Sequence, residues 1–430
     1  MITPSGMTVS QYNDLLALEH ATHARVTFTI ENVVFQDEEL DYSGGIHVSS
    51  YMNPDEEMKF GTAFCKEASV HFIRSEKTDN LNWLGEYKLE FGVDNGDSIK
   101  WITIGYFTGE RPTWYWQDVI ELPSWDRMRR FEVEADTFLG DLTYPCTMQD
   151  IYDALCSYVG VTNTTGDEIS AVMAYEYTTA PKFSEGMTCR ELLSMIAVAN
   201  CCYARINNEG YVQLFWYSNH ENDYRLDWDD CYDLDISDLQ VHSRVKWKEL
   251  EPLTWGEVEN VQYGYYDTDN EDSLDIRGVR FSWKDDEDEF VISVPPDGTV
   301  LEDEWGSMKS YSWGFLKGYT WAWEENANAD GNTYTIVNNP LIYHDTDEEI
   351  GEHLTYILTR LYGFSLKYVA RVEAVGNWLV EAGDVIQFEV KRRQLFAKYP
   401  IFNHVLNWNG ACRAEYETTG NIRREDVVIE

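Results

Sequence analysis

Short runs of β-branched and aromatic residues recur along most of this chain, alternating with polar residues and ending at turn formers. Period-two patterning of this kind commits a segment to a strand with one buried face. His23-Ala-Arg-Val-Thr-Phe-Thr-Ile30 and Ile102-Thr-Ile-Gly-Tyr-Phe107 are two such runs, and Asp94-Asn-Gly-Asp97 is a hairpin signal before the second. Residues 25–113 therefore read as one β-barrel or small sandwich.

Helical spacing breaks the pattern in a few places. After Pro145, Thr147 can cap a helix, and Asp150 suits the positive end of its dipole. Ile151, Ala154, Leu155, Tyr158 and Val159 follow as its apolar stripe, and Gly160 ends it. Thr188 and Glu191 form a capping box ahead of Leu192, Leu193, Ile196 and Ala197. The runs Cys202–Ile206 and Tyr211–Trp216 then flank the turn Asn207-Asn-Glu-Gly210, which completes an α+β module. A further capped helix is expected from Thr346 and Glu349 through Ile350, Leu354, Ile357 and Leu361 to Gly363, and a short one within residues 8–20, with Thr8 and Gln11 at box spacing. The remainder, 227–337 and 367–417, returns to strands. The fold class is α+β and mostly β, and 430 residues are too many for one ordinary core.

One segment carries a sharper expectation. Tyr311, Trp313, Phe315, Tyr319, Trp321 and Trp323 all fall at odd positions, which puts their rings on one face of a strand pair. With Leu316-Lys-Gly318 as a three-residue loop, Phe315 faces Tyr319, Trp313 faces Trp321 and Tyr311 faces Trp323. Cross-strand aromatic pairs contribute about 0.2–1 kcal/mol each. A two-residue turn at Lys317-Gly318 would scramble the faces. Sheet packing, a subunit interface and a sugar-stacking platform all fit this pattern, and the sequence leaves the three open.

Composition removes several function classes. Thirty-three basic against 76 acidic residues give a net charge of −43, which disfavours a phosphate-binding groove and sequence-specific nucleic-acid recognition. Eight Cys without a C-x-x-C pair read as buried thiols, and neither a metal nor a cofactor is expected. The first ten residues lack the basic and apolar regions of a secretory leader, and no run is long enough for a membrane span. Nucleophile elbow, zinc helix and phosphate loop are missing, and His220-Glu221 lacks a second His. Asp267-Thr-Asp-Asn-Glu-Asp272 lacks the glycine and the bidentate Glu of a calcium loop, and Asp285–Glu289 reads as a solvated acidic run. No enzyme activity is expected.

The capped segments resemble bacteriophage tail tip and baseplate hub proteins. Tyr144-Pro-Cys-Thr-Met-Gln-Asp-Ile-Tyr-Asp-Ala-Leu-Cys-Ser-Tyr-Val-Gly-Val161 is similar to one of their helices. Phe183-Ser-Glu-Gly-Met-Thr-Cys-Arg-Glu-Leu-Leu-Ser-Met-Ile-Ala-Val-Ala-Asn200 resembles the next, and Ala204-Arg-Ile-Asn-Asn-Glu-Gly-Tyr-Val-Gln-Leu214 the hairpin after it. Weaker matches keep the same order. The segment from Phe91 to Phe107 resembles the end of the first β-domain, Tyr334-Thr-Ile-Val-Asn-Asn-Pro-Leu341 an Asn-Pro element, and Leu379-Val-Glu-Ala-Gly-Asp-Val-Ile386 the strand after the third helix.

The resemblance implies two tube-like β-barrel domains with α+β modules between and after them. Residues 1–117 would form the first, 118–226 the module with two capped helices and a hairpin, 227–340 the second with the aromatic hairpin, and 341–430 a helix and terminal strands. It implies a homotrimer that closes the tail tube, adapts sixfold to threefold symmetry and opens for DNA ejection. Expected partners are the distal tail protein, the tube end, the tape measure protein and receptor-binding or spike proteins. The expected location is the virion tail tip, after synthesis in the host cytoplasm. Many relatives append a hydrolase or fibre where this chain ends at Glu430, so neither is expected here. An acidic lumen would let DNA pass without binding. The alternatives are a carbohydrate-binding tail adhesin or a cell-wall hydrolase.

Overall fold

The computed structural model describes residues 22–52, 61–94, 96–115, 118–164, 175–181, 183–216, 368–391 and 395–420. Shorter pieces are 8, 11, 225–226, 339–342, 353, 356–357, 428–429 and separate strands between 231 and 337. The fold is α+β and mostly β. Its N-terminal strands are β1 (Thr22–Phe28), β2 (Val33–Gln36), β3 (Ile46–Tyr51), β4 (Lys66–Ile73), β5 (Glu86–Asp94), β6 (Ile99–Gly109), β7 (Thr113–Trp114) and β8 (Val119–Asp126). Helices α1 (Met148–Val159) and α2 (Cys189–Ala199) follow, then strands β9 (Tyr203–Ile206) and β10 (Val212–Phe215). After β11 (Cys231–Asp238) come β12 (Tyr368–Val375), β13 (Val385–Lys391), β14 (Leu395–Trp408) and β15 (Cys412–Gly420).

The alternation read from the sequence becomes alternation of burial. In β1 Ala24, Val26 and Phe28 point inward, in β4 Ala68, Val70 and Phe72, and in β8 Ile120 and Leu122. A register slip of one residue would turn each set outward, which holds the pairings in place. The ladder runs β4-β8-β6-β5-β1-β2. An antiparallel bridge between Leu40 and Phe72, with the Asp41 amide donating to the His71 carbonyl at 2.9 Å, returns the end of β2 to β4. This single bridge curls the N-terminal ladder back on itself as a barrel. The turn after β5 is the expected one, with Gly96 at φ +88° and its amide donating to Asp94 Oδ1 at 2.8 Å.

The barrel does not end with the N-terminal segment. β3 pairs with β4 on one side and with β14 on the other, Leu406 lying opposite Val48 and His404 opposite Ser50. Beyond β14 come β15, β12 and β11, all within one fifteen-stranded sheet. One apolar core therefore takes Val26, Phe72 and Leu89 from the barrel and Val372, Trp378, Trp408 and Tyr416 from the C-terminal strands. Phe91 of β5 packs between Trp378 (centroids 4.8 Å apart) and Trp408 (6.3 Å). Aromatic pairs of this geometry add about 0.5–1.5 kcal/mol each beyond burial.

A second core holds the α+β module. Both Thr caps form the reciprocal box, Thr147 with Asp150 and Thr188 with Glu191, and Gly160 takes the left-handed C-cap at φ +70°. Thr8 and Gln11 also bond reciprocally, at 2.9 and 3.2 Å. The buried face of α1 is Met148, Ile151, Tyr152, Leu155 and Cys156. Tyr158, expected in the stripe, is instead exposed and lies 5.5 Å from Phe138. α2 buries Leu192, Leu193, Ile196 and Ala197 as its spacing predicts. β9 and β10 pair antiparallel around Asn207–Gly210, Gly210 taking φ +83°. Thr346 and Glu349 of the expected third helix lie outside the described residues, while His353, Tyr356 and Ile357 are helical.

The segment from Leu379 to Ile386, expected as a strand, is mostly a turn, and β13 begins only at Val385. Two side chains bend it. Asn377 Oδ1 accepts from the Leu379 amide at 3.0 Å, and Asp384 Oδ2 accepts from the Glu381 amide at 2.8 Å. Gly383 sits at φ +98°, a backbone conformation that favours glycine. Residues 376–386 are buried throughout, which is rare for a loop because buried amides need partners. Asn377 and Asp384 supply them.

Candidate functional site

His23 Nδ1 lies 2.8 Å from Asp37 Oδ2, a pairing that can orient an imidazole for base catalysis. Its Nε2 is buried without a hydrogen-bond partner, so no hydroxyl or thiol stands ready to lose a proton to it. Cys65, Cys146, Cys156, Cys189, Cys201, Cys202 and Cys412 form no disulfide, and all but Cys65 are buried. Burial pushes Cys156 and Cys412 up to about 12 and Cys189 to about 11, far from the thiolate a nucleophile needs. Among the described residues no cluster of His, Cys, Asp and Glu could hold a metal, and no helix is long and apolar enough to cross a membrane.

Of the aromatic residues singled out in the sequence, Tyr311, Trp313, Phe315, Tyr319 and Trp321 lie outside the described residues. Trp323 is in the strand Ala322–Glu324, opposite Val245 of His242–Lys248. The acidic runs at 267–272 and 285–288 and the pair His220-Glu221 also lie outside them.

Side chains from three distant segments meet instead at a buried ionic junction. Lys66 opens β4, Arg205 lies in β9, and Glu381 sits on the buried turn. Lys66 and Arg205 become neighbours because Ala63 bridges Ala204, with the Phe64 amide donating to the Ala204 carbonyl at 3.1 Å. Lys66 Nζ donates to Glu381 Oε1 at 2.7 Å, and Arg205 Nη2 stands 3.6 Å from Glu381 Oε2. Arg205 also donates from Nη1 to the Ala382 carbonyl at 2.8 Å, and its guanidinium carbon lies 4.3 Å from the Phe215 ring centroid. Desolvation alone would raise the Glu381 carboxyl, but the Arg205 and Lys66 charges hold it far below the usual carboxylate range.

The junction has a second tier. Asp126 Oδ2 accepts from the Lys66 amide at 3.0 Å, and Oδ1 accepts from the Met128 amide at 2.9 Å and the Cys65 thiol at 3.0 Å. Burial pushes this carboxyl up against those bonds. His404 stacks on Tyr416, centroids 5.0 Å apart, and burial together with nearby Lys66 pushes it down to about 4. Sequence reasoning missed this site. Its one local signal was a Glu and an Asp inside the otherwise apolar Leu379–Ile386 run.

The exposed counterpart is a rim at one end of the barrel, where β1 stops and β5 begins. Ile30 is 78% exposed and Leu84 64%, and Trp114 and Tyr115 lie half exposed. Trp114 meets Trp83 edge to face at 6.2 Å, with the Arg74 guanidinium carbon 5.6 Å from its ring centroid.

Comparison with known proteins bears on fold. No family model and no curated protein matches the chain. Among solved structures, the chain is similar to the 43 kDa tail protein of prophage MuSo2 from Shewanella oneidensis. Identity is 12% and the TM-score 0.51, covering 95% of this chain and 100% of that one. It is similar also to a tail protein from Neisseria meningitidis MC58, at 7% identity and TM-score 0.51, covering 94% and 97%. With this likeness over nearly the whole of both chains, this chain has the fold of phage tail proteins.

Proposed function

We propose that the chain is the structural hub of a bacteriophage tail tip or baseplate. It acts as a homotrimer that closes the tail tube, adapts sixfold to threefold symmetry and opens for DNA ejection. The observation that carries this reading is the fold likeness to phage tail proteins along 95% of the chain. The curled barrel of the N-terminal strands supports it, since barrels leave few free strand edges in a tube wall. In this role the chain resides in the virion tail tip and has no catalytic step of its own. It contacts the tube end, the distal tail protein, the tape measure protein and receptor-binding or spike proteins. The net charge of −43 suits a lumen that repels phosphates during passage.

The test is the solution mass of the purified chain by light scattering, followed by negative-stain imaging alone and with isolated tail tubes. A threefold ring with a central channel, seated at one tube end, is the expected result. A chain that stays monomeric and does not bind tubes overturns the proposal.

A further inference from the structure

Two cations and one carboxylate make an unusual core. Lys66, Arg205 and Glu381 are each less than a tenth exposed. Buried ion clusters add little net stability compared with apolar groups of the same volume, yet losing one member strands the others in a low dielectric. Their best-attested use is to enforce one arrangement of parts over its near neighbours.

Each cation is anchored to its own strand, and Arg205 in addition reaches the C-terminal turn by donating from Nη1 to the Ala382 carbonyl at 2.8 Å. Lys66 is held by the pairing of β4 with β8 and by Asp126 on its amide. Arg205 is held by the Ala63–Ala204 bridge and by Gln213, which accepts from its Nε at 3.2 Å. The turn, in turn, is shaped by its own Asn377 and Asp384. Asp126 and Asp384 are thus engaged by backbone amides, and His404 is stacked on Tyr416. Glu381 is the carboxylate that bonds Lys66 Nζ and faces Arg205. Gly383 seats the same turn against Phe215 of β10, where a Cβ would meet the ring at 2.0 Å.

We infer that Glu381 is a docking key: it couples seating of the 376–386 turn to closure of the β9–β10 hairpin against β4, so that the three segments open and close as one unit. With the turn away, two fixed like charges lose the carboxylate between them and the hairpin loosens. With it seated, the two cations share the one carboxylate of Glu381.

The experiment is amide hydrogen exchange on the full chain, comparing wild type, Glu381→Gln, and the triple variant Lys66→Met, Arg205→Met, Glu381→Met. In Glu381→Gln, exchange should quicken about tenfold or more in 376–386, 203–215 and 61–70 together, with β1 and β5 unchanged. The triple variant has no stranded cation, and its three segments should return toward wild-type rates. Faster exchange confined to 376–386 overturns the coupling. A triple variant no slower than Glu381→Gln also overturns it, since the loss would then be one of packing. Should Glu381→Gln fail to fold, Glu381→Asp keeps the charge and shortens its reach, and must show the same three-segment pattern for the inference to stand.

Discussion

Lys66 and Glu381 stand 315 residues apart in sequence and form a buried ion pair 2.7 Å long, between the first residue of β4 and a turn near the end of the chain. Removing the lysine leaves Glu381 with Arg205 at 3.6 Å as its remaining cation. Lys66→Met should therefore destabilise the fold by about 3–5 kcal/mol, read from urea midpoints at neutral pH. An unchanged midpoint would mean that water reaches the carboxylate.

Two glycines separate steric from conformational cost. Gly383 has φ +98° and faces the Phe215 ring, whereas Gly160 has φ +70° with open space around it. Gly160→Ala should cost about 1 kcal/mol, the penalty of a left-handed residue with a side chain. Gly383→Ala adds a ring clash and should cost about 2–4 kcal/mol. Paired denaturation curves check the ranking, and equal losses would remove the steric argument.

The helix caps offer a smaller, local test. Thr188 Oγ1 accepts from the Glu191 amide at 3.2 Å while Glu191 Oε2 accepts from the Thr188 amide at 2.6 Å. Thr188→Ala should cost about 1 kcal/mol, and Thr188→Ser much less. Thermal melts of the two variants should differ by a few degrees.

Acid sensitivity should trace partly to His404, which burial and nearby Lys66 hold down at about 4. An unfolded histidine titrates near 6.5, so as pH falls below that value the unfolded chain takes up a proton that the folded chain refuses. Stability conferred by the neutral ring is thus present above about 6.5, falls as pH drops toward 4 and levels off below. Between pH 7 and pH 5 the loss should be about 2 kcal/mol. In His404→Gln this part of the pH profile should flatten. A profile identical to wild type would place the acid-sensitive group elsewhere, with Glu381, whose low carboxyl loses its contribution only at still lower pH, as the next to vary.

What could be read locally was read from local causes. Period-two burial in β1 and β4, the capping boxes at Thr147 and Thr188, the left-handed Gly160 and the turn at Asn207–Gly210 depend on residues within a few positions of each other. Their energies are set before distant parts of the chain meet, so the sequence by itself determined these elements. Tyr158 marks the limit, because the side of a helix that is buried depends on what packs against it.

Tertiary structure alone decided which strands share a sheet. Nothing near Val48 signals that Leu406 will lie opposite it, and nothing near Phe91 announces Trp378 and Trp408. Backbone pairing is indifferent to sequence separation, and an apolar strand face accepts any partner of fitting shape. The apolar residues of 376–384 suit a strand as well as a turn; Asn377 and Asp384 bend the segment locally, and the seat offered by Phe215, Lys66 and Arg205 buries it. Charges such as Glu381 read as surface residues until partners from elsewhere in the chain make their burial tolerable.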